Sequence, residues 1–187
     1  MFKGVPWWWA VIGLILIGGG LFSPVALTRQ VWLPLAWIWP LLLWSALGSR
    51  EARWQTGQMI FSAAAPLRRQ LPALWVAGVI VTALTGLGAA LRLVLAGQWA
   101  ALLAWVTAVV FILSLALALG TWTNSNKAFE VIYLVLWYGG PLNGLTALDF
   151  MGAREAALGA HLPLFYLVAV VVLLMVVVAG RRSQITV

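Results

Sequence analysis

The run LFYLVAVVVLLMVVVA, residues 164–179, decides the fold. It carries no charge and no helix breaker, and it lacks the alternation of a transmembrane barrel strand, whose segments are about ten residues long. In hydrocarbon every backbone N–H and C=O must be paired within the protein, and a helix meets that demand locally. The run therefore reads as a membrane helix. The rest of the chain agrees with it. Of 187 residues, 64% are hydrophobic and 8% are charged, against roughly 45–50% apolar and 25% charged in soluble domains. A water-soluble fold of this size cannot hide that much apolar surface. The fold class expected is all-α, a polytopic transmembrane helical bundle in one domain over residues 1–187.

Charged residues punctuate the chain, because an ionised side chain in the hydrocarbon costs at least about 2.5–3.5 kcal/mol. The gaps between them predict six spans, at about 7–27, 31–47, 73–92, 99–119, 129–148 and 163–180, with Gly97 and Gln98 turning the chain between the third and fourth. Crossing a core of roughly 30 Å takes about 20 residues, and several gaps reach that only with flanking tryptophans, so tilt or partial re-entry is open. The thirteen tryptophans, among them Trp7, Trp8, Trp9, Trp32, Trp37, Trp39, Trp44 and Trp54, fall near the ends of these gaps and read as interfacial anchors. The first apolar run, which follows Lys3, is longer than a signal peptide's core and reads as a retained span.

The net charge of +7 comes from basic residues scattered at the ends of apolar runs. They form no stripe suited to nucleic acid, and no nucleic-acid partner is expected. With six spans and the amino terminus inside, eight basic residues face the cytoplasm: Lys3, Arg50, Arg53, Arg68, Arg69, Lys127, Arg181 and Arg182. Three, Arg29, Arg92 and Arg154, face outward. This asymmetry predicts both termini on the cytoplasmic side.

Three polar stretches are candidates for chemistry. The inner loop from Gly48 to Pro72 holds Arg50, Glu51, Arg53, Gln55, Gln58, Arg68 and Arg69. Residues 50–61 suit a helix that extends the second span or lies at the interface, and Pro72 suits the first turn of the third span. The basic residues either fix topology and touch lipid phosphates or dock a cytoplasmic partner. In the second stretch, Asn124, Ser125 and Asn126 form a polar turn, and Lys127 and Glu130 share the helix face that follows. Glu130 either stabilises a helix start or binds protons at the mouth of a substrate path. The third stretch, Gly139 to His161, is rich in breakers and contains Asp149, Arg154 and Glu155, with no compact triad. It reads as an ordinary loop, a re-entrant element or a structured external cap.

These inventories argue against an enzyme. There is no cysteine and one histidine, His161. Neither a Gly-x-Ser-x-Gly elbow, nor a zinc-protease histidine pair, nor a phosphate-binding P-loop occurs, so no catalytic residue, metal site or cofactor is expected.

Two stretches, FSAAAPLRRQLPALW (Phe61 to Trp75) and GTWTNSNKAFEVIYLVLWYGGPLNGLTALDF (Gly120 to Phe150), are similar to bacterial permeases of the ABC-2 type. The arrangement over all 187 residues resembles theirs too: six spans, a longer inner loop after the second, and a breaker-rich external segment between the fifth and sixth. The resemblance implies a multi-pass subunit of a bacterial inner membrane that exports a substrate, surrounded by lipid and driven by a separate P-loop ATPase. It implies pairing as a homodimer or with a second permease half. It also implies that Arg50, Glu51, Arg53, Arg68 and Arg69 form the coupling loop. Lys127, Glu130 and Asp149 are, by their own chemistry and not by the resemblance, candidate substrate-path or ion-pair residues. Such permeases begin with an amphipathic helix, whereas six residues precede Trp7 here. A half of a longer permease, a stand-alone subunit and a member without that helix are all open. The rival readings are a proton-coupled exporter using Glu130 or Asp149, and a scaffold that transports nothing.

Overall fold

The structure is a computed structural model that describes residues 7–45 and 66–185, with the side chains of Trp9, of 66–71 and of 181–185 excepted. Among the described residues the chain is helical and contains no strand. Its axis is α7 (Trp99–Thr123). At about 1.5 Å per residue it is long enough for a bilayer core, and it is apolar on every side. Protein covers 72% of its apolar window, whereas α10 (Leu162–Ile185), the helix packed most extensively along it, has 17% of its window covered. A helix that turns Phe165, Val168, Val172 and Met175 outward is stable only in an apolar solvent.

The remaining helices surround this pair. Helix α1 (Trp7–Phe22) lies against α6 (Leu87–Leu95). Their backbones nearly touch, for a Cβ on Gly88 would fall 1.9 Å from the Ile17 carbonyl oxygen. Small residues permit this approach, as in other bilayer helix pairs. Helix α5 (Pro66–Thr85) runs into α6 through Gly86 with a bend of 63°. The chain then reverses at Gly97, in the left-handed region at φ +66, as the Gly97–Gln98 pair predicts.

Among the described residues two helices, Trp99–Thr123 and the Leu162–Gly180 part of α10, have the length and apolar composition to cross a membrane, and the bent α5–α6 pair makes a third if it is one span. Three other stretches expected as spans, at about 7–27, 31–47 and 129–148, the last left open between a continuous and a re-entrant form, are divided into shorter helices where they are described. Prolines cause the divisions. Helix α1 stops at Phe22 before Ser23 and Pro24, and a short α2 (Val25–Leu27) widens into a π-turn, Thr28–Trp32, ahead of Pro34. That wider turn accommodates a ring that cannot donate to the preceding turn and would crowd it. Pro40 separates α3 (Leu33–Ile38) from α4 (Leu41–Ser45), and Pro141 lies in a second π-turn, Tyr138–Leu142, at the end of α8 (Lys127–Trp137). Pro72, expected in a first turn, lies inside α5, and Pro66 occupies the helix start, where a missing N–H costs nothing.

The tryptophans divide as well. Trp7, Trp8, Trp99 and Trp122 are exposed, as anchors should be. Trp37 and Trp44, expected among the anchors, are instead in the core. Helix α4 packs against both α7 and α8, and side chains of α3 reach them, so that Trp37 meets the ring of Trp105 at 6.1 Å and Trp44 meets Tyr133 edge-on at 5.6 Å. The Tyr133 hydroxyl donates to the Trp37 carbonyl at 2.9 Å.

Candidate functional site

At one end of the bundle the breaker-rich stretch folds into a cap. The chain leaves α8 through Gly139, Gly140 and Pro141 and doubles back, with Leu145 N donating to Gly139 O at 2.9 Å and Gly144 N to Gly140 O at 2.8 Å. Gly140 is pressed on the returning strand of chain, where a Cβ would lie 2.3 Å from the Leu148 carbonyl oxygen. After a 3-10 turn (Thr146–Leu148) comes Asp149, whose side chain is buried. Its two oxygens accept from the amides of Ala153 at 3.0 Å and Arg154 at 2.9 Å, closing the turn that leads into α9 (Glu155–Gly159). Burial pushes the Asp149 carboxyl above its ordinary value, against the opposing pull of those two amides and of the Arg29 and Arg154 charges.

Inside this turn Gly152 sits at φ +64 and aims its carbonyl at Arg29, which donates from Nε at 3.2 Å and from Nη2 at 2.8 Å. The Nη1 of Arg29 forms an ion pair with Glu155. A buried guanidinium needs such partners, since an unpaired charge there costs several kcal/mol. Arg154 points elsewhere and donates from Nη2 to the Leu142 carbonyl at 2.9 Å. Arg92 donates to the carbonyl of Ser23 at 2.9 Å, and Ser23 closes the helix that precedes Arg29. The cap thus engages Arg29 and Arg154, two of the three basic residues expected on the outer side. The Tyr166 hydroxyl ties α10 to it through Ala147 O at 2.8 Å.

Lys127 and Glu130 lie at the opposite end of the Lys127–Leu142 segment from the cap, so the structure does not bring Glu130 together with Asp149. Glu130 occupies the first turn of α8 and accepts from the Asn126 amide at 3.0 Å, while Lys127 is exposed and its backbone N–H donates to Ser125 Oγ at 3.3 Å. The polar turn before it closes on Asn124, at φ 50. Arg50, Glu51 and Arg53 lie outside the described residues, as do the side chains of Arg68 and Arg69. His161 is exposed, at φ 54, in the turn before α10. No group of acidic or histidine side chains among the described residues could hold a metal ion.

An apolar cavity of about 320 Å³ lies between α1, α3 and α5, lined by residues that include Gly13, Leu16, Ala36, Val81, Leu84 and Thr85. The Thr85 hydroxyl is committed to Thr82 O at 2.9 Å, so the cavity offers surface suited to hydrocarbon.

The sequence points to the cap segment but not to Arg29 or Glu155 as its partners. The one available signal is an arginine in a short polar triplet, Thr28 to Gln30, set between apolar runs and followed at five positions by a proline. Comparisons with protein-family models, curated proteins and solved structures find no match to this chain.

Proposed function

We propose that the chain is the membrane-embedded permease subunit of an ATP-driven exporter of the ABC-2 kind. It crosses a bacterial inner membrane six times with both termini in the cytoplasm, and pairs with a second copy or a second permease half to enclose a translocation path. The observation that best supports this reading is the folded cap between the last two apolar segments, tied by Arg29 to the second. A cap held in this way moves with the helices it joins. In this reading ATP-driven closure of the partner ATPase, acting on Arg50, Glu51, Arg53, Arg68 and Arg69, rocks those helices and opens a route at the subunit interface. The apolar cavity suits a lipid-like or amphiphilic cargo.

The proton-coupled alternative needs a carboxylate free to exchange protons. Asp149 is committed to two amides and Glu130 to Asn126, so both already serve local structure. The scaffold alternative predicts no flux.

The test is purification in mild detergent through a carboxyl-terminal tag, with mass spectrometry of what accompanies the protein. A P-loop ATPase that co-purifies with the native chain and is lost on charge reversal of Arg50, Arg53, Arg68 and Arg69 is the expected result. Absence of any ATPase under all mild conditions, or its retention after charge reversal, would overturn the reading.

A further inference from the structure

A wedge opens between α1 and α5. Helix α6 stays against α1 at Ile17 and Gly20, while α5, turned through 63° at Gly86, draws away from it. The space left is the apolar cavity of about 320 Å³, with Gly13 and Ile17 of α1 and Val81 of α5 in its walls and Ala36 of α3 at its base. Gly13 enlarges it, for a Cβ there would meet nothing within 4 Å. Leu14 and Leu84 also line it, and they are 68% and 54% exposed. The cavity therefore opens sideways between these two leucines, toward whatever surrounds the bundle.

Its occupant must be apolar and thin. No charged side chain lines the cavity, and the hydroxyl of Thr85 is committed to Thr82 O at 2.9 Å. A buried water needs about two to four polar partners, and apolar cavities of roughly 150 Å³ stay dry and take up hydrocarbon. The cavity follows α1 from Ala10 to Ile17, seven residues or about 10 Å. Spread over that length, its volume gives a cross-section of about 30 Å², less than half that of a helix about 10 Å across. A helix of a second copy does not fit, whereas an extended hydrocarbon chain does. Depth agrees with this. Arg92, whose charge belongs near the headgroups, donates to Ser23 O at 2.9 Å. Ile17 lies six residues from Ser23, about 9 Å further in, so the cavity begins below the headgroups, at the depth of acyl chains.

We propose that this wedge binds one acyl chain of a bilayer phospholipid, which enters between Leu14 and Leu84. The site stands apart from the permease reading, because a resident lipid requires no transport.

The experiment uses the full-length chain in phosphatidylcholine nanodiscs that contain a phosphatidylcholine with a diazirine midway along one acyl chain. After irradiation, mass spectrometry maps the labelled residues. Leu16 and Val81, half-buried in the lining, report the cavity, and Ile12, half-buried outside it, is the control for depth. Val168 and Val172, on the open face of α10, report ordinary lipid contact. The expected result in the native chain is label at Leu16, Val81 and the two α10 valines, with severalfold less at Ile12. Gly13→Leu, which puts a side chain into the open space, should lower label at Leu16 and Val81 severalfold and leave Val168 and Val172 unchanged. If that variant fails to fold, the comparison with Ile12 in the native chain decides. Label confined to α10, or no stronger in the cavity than at Ile12, would overturn the site. So would cavity label that survives Gly13→Leu, since the lipid then reaches these residues by another route. No ATPase enters the experiment, so each of these failures leaves the permease reading standing.

Discussion

Arg29 and Glu155 form an ion pair whose two members live in opposite surroundings, with side chains 5% and 82% exposed. The arginine needs the pair more than the glutamate does. An ion pair open to water on one side is worth about 0–1 kcal/mol, whereas a buried acceptor stripped of its donors costs about 1–3 kcal/mol. Glu155→Gln should therefore lower stability by less than about 1 kcal/mol. Arg29→Met, which orphans the Gly152 carbonyl, should cost more, by roughly 1–3 kcal/mol. Thermal unfolding of both variants in the same detergent checks the order, and equal losses would show that the carboxylate, not the carbonyl, holds Arg29.

Gly152 is constrained twice, by its φ of +64 and by Ala104, whose Cβ would lie 2.7 Å from an added Cβ. Gly152→Ala should destabilise the cap by roughly 1–2 kcal/mol from the left-handed backbone alone, with the contact adding to it. In a double-mutant cycle with Ala104→Gly the steric share emerges as a coupling energy and the backbone share stays. No coupling would mean that the cap shifts freely away from α7.

Acid should favour the Asp149 turn. The folded state raises this carboxyl above its ordinary value, so it binds protons more readily folded than unfolded. The stability it contributes is fully present below the unfolded value, about 3.9, and is lost as pH rises through the higher folded one. Melting temperatures of the native chain and Asp149→Asn, taken from pH 7 downward, should differ in slope, with the native chain gaining relative to the variant on acidification. Parallel curves would remove Asp149 from the pH dependence.

Glycines along α1 and α6 should not be equivalent. Gly88→Ala drives a methyl into the Ile17 backbone and should cost roughly 1–3 kcal/mol. Gly18→Ala meets nothing within 4 Å and should be neutral or gain up to about 1 kcal/mol from helix propensity. Urea or thermal unfolding in detergent distinguishes them, and similar effects would mean that α1 does not hold α6 so closely.

Much of the helical organisation is legible in the sequence because it depends on local properties. The apolar run at 164–179, the Gly97–Gln98 turn and the breakers after Tyr138 each follow from side-chain chemistry within a few residues. What depends on contacts across the chain is not legible. Trp37 and Trp44 have the composition of anchors, and only their ring contacts with Trp105 on α7 and Tyr133 on α8 make them core. Gly86 looks like any glycine in a membrane helix until the 63° bend is seen. Arg29 satisfies the charge pattern of a loop residue, while its partners lie 123 and 126 positions away. Of the candidate site residues, Asp149 is recognisable as special by its place among breakers, but the two amides it binds are set by the fold of the turn.

The tie between Arg29 and Gly152 also imposes an order on biosynthesis. The ribosome finishes Arg29 123 residues before Gly152, an interval on the order of ten seconds at about 5–20 residues per second. Throughout that time the guanidinium has no cap to receive it and must stay with water or lipid phosphate. The tie can close only once Gly152 has been made, so a contact that fixes the beginning of the chain is completed late in synthesis.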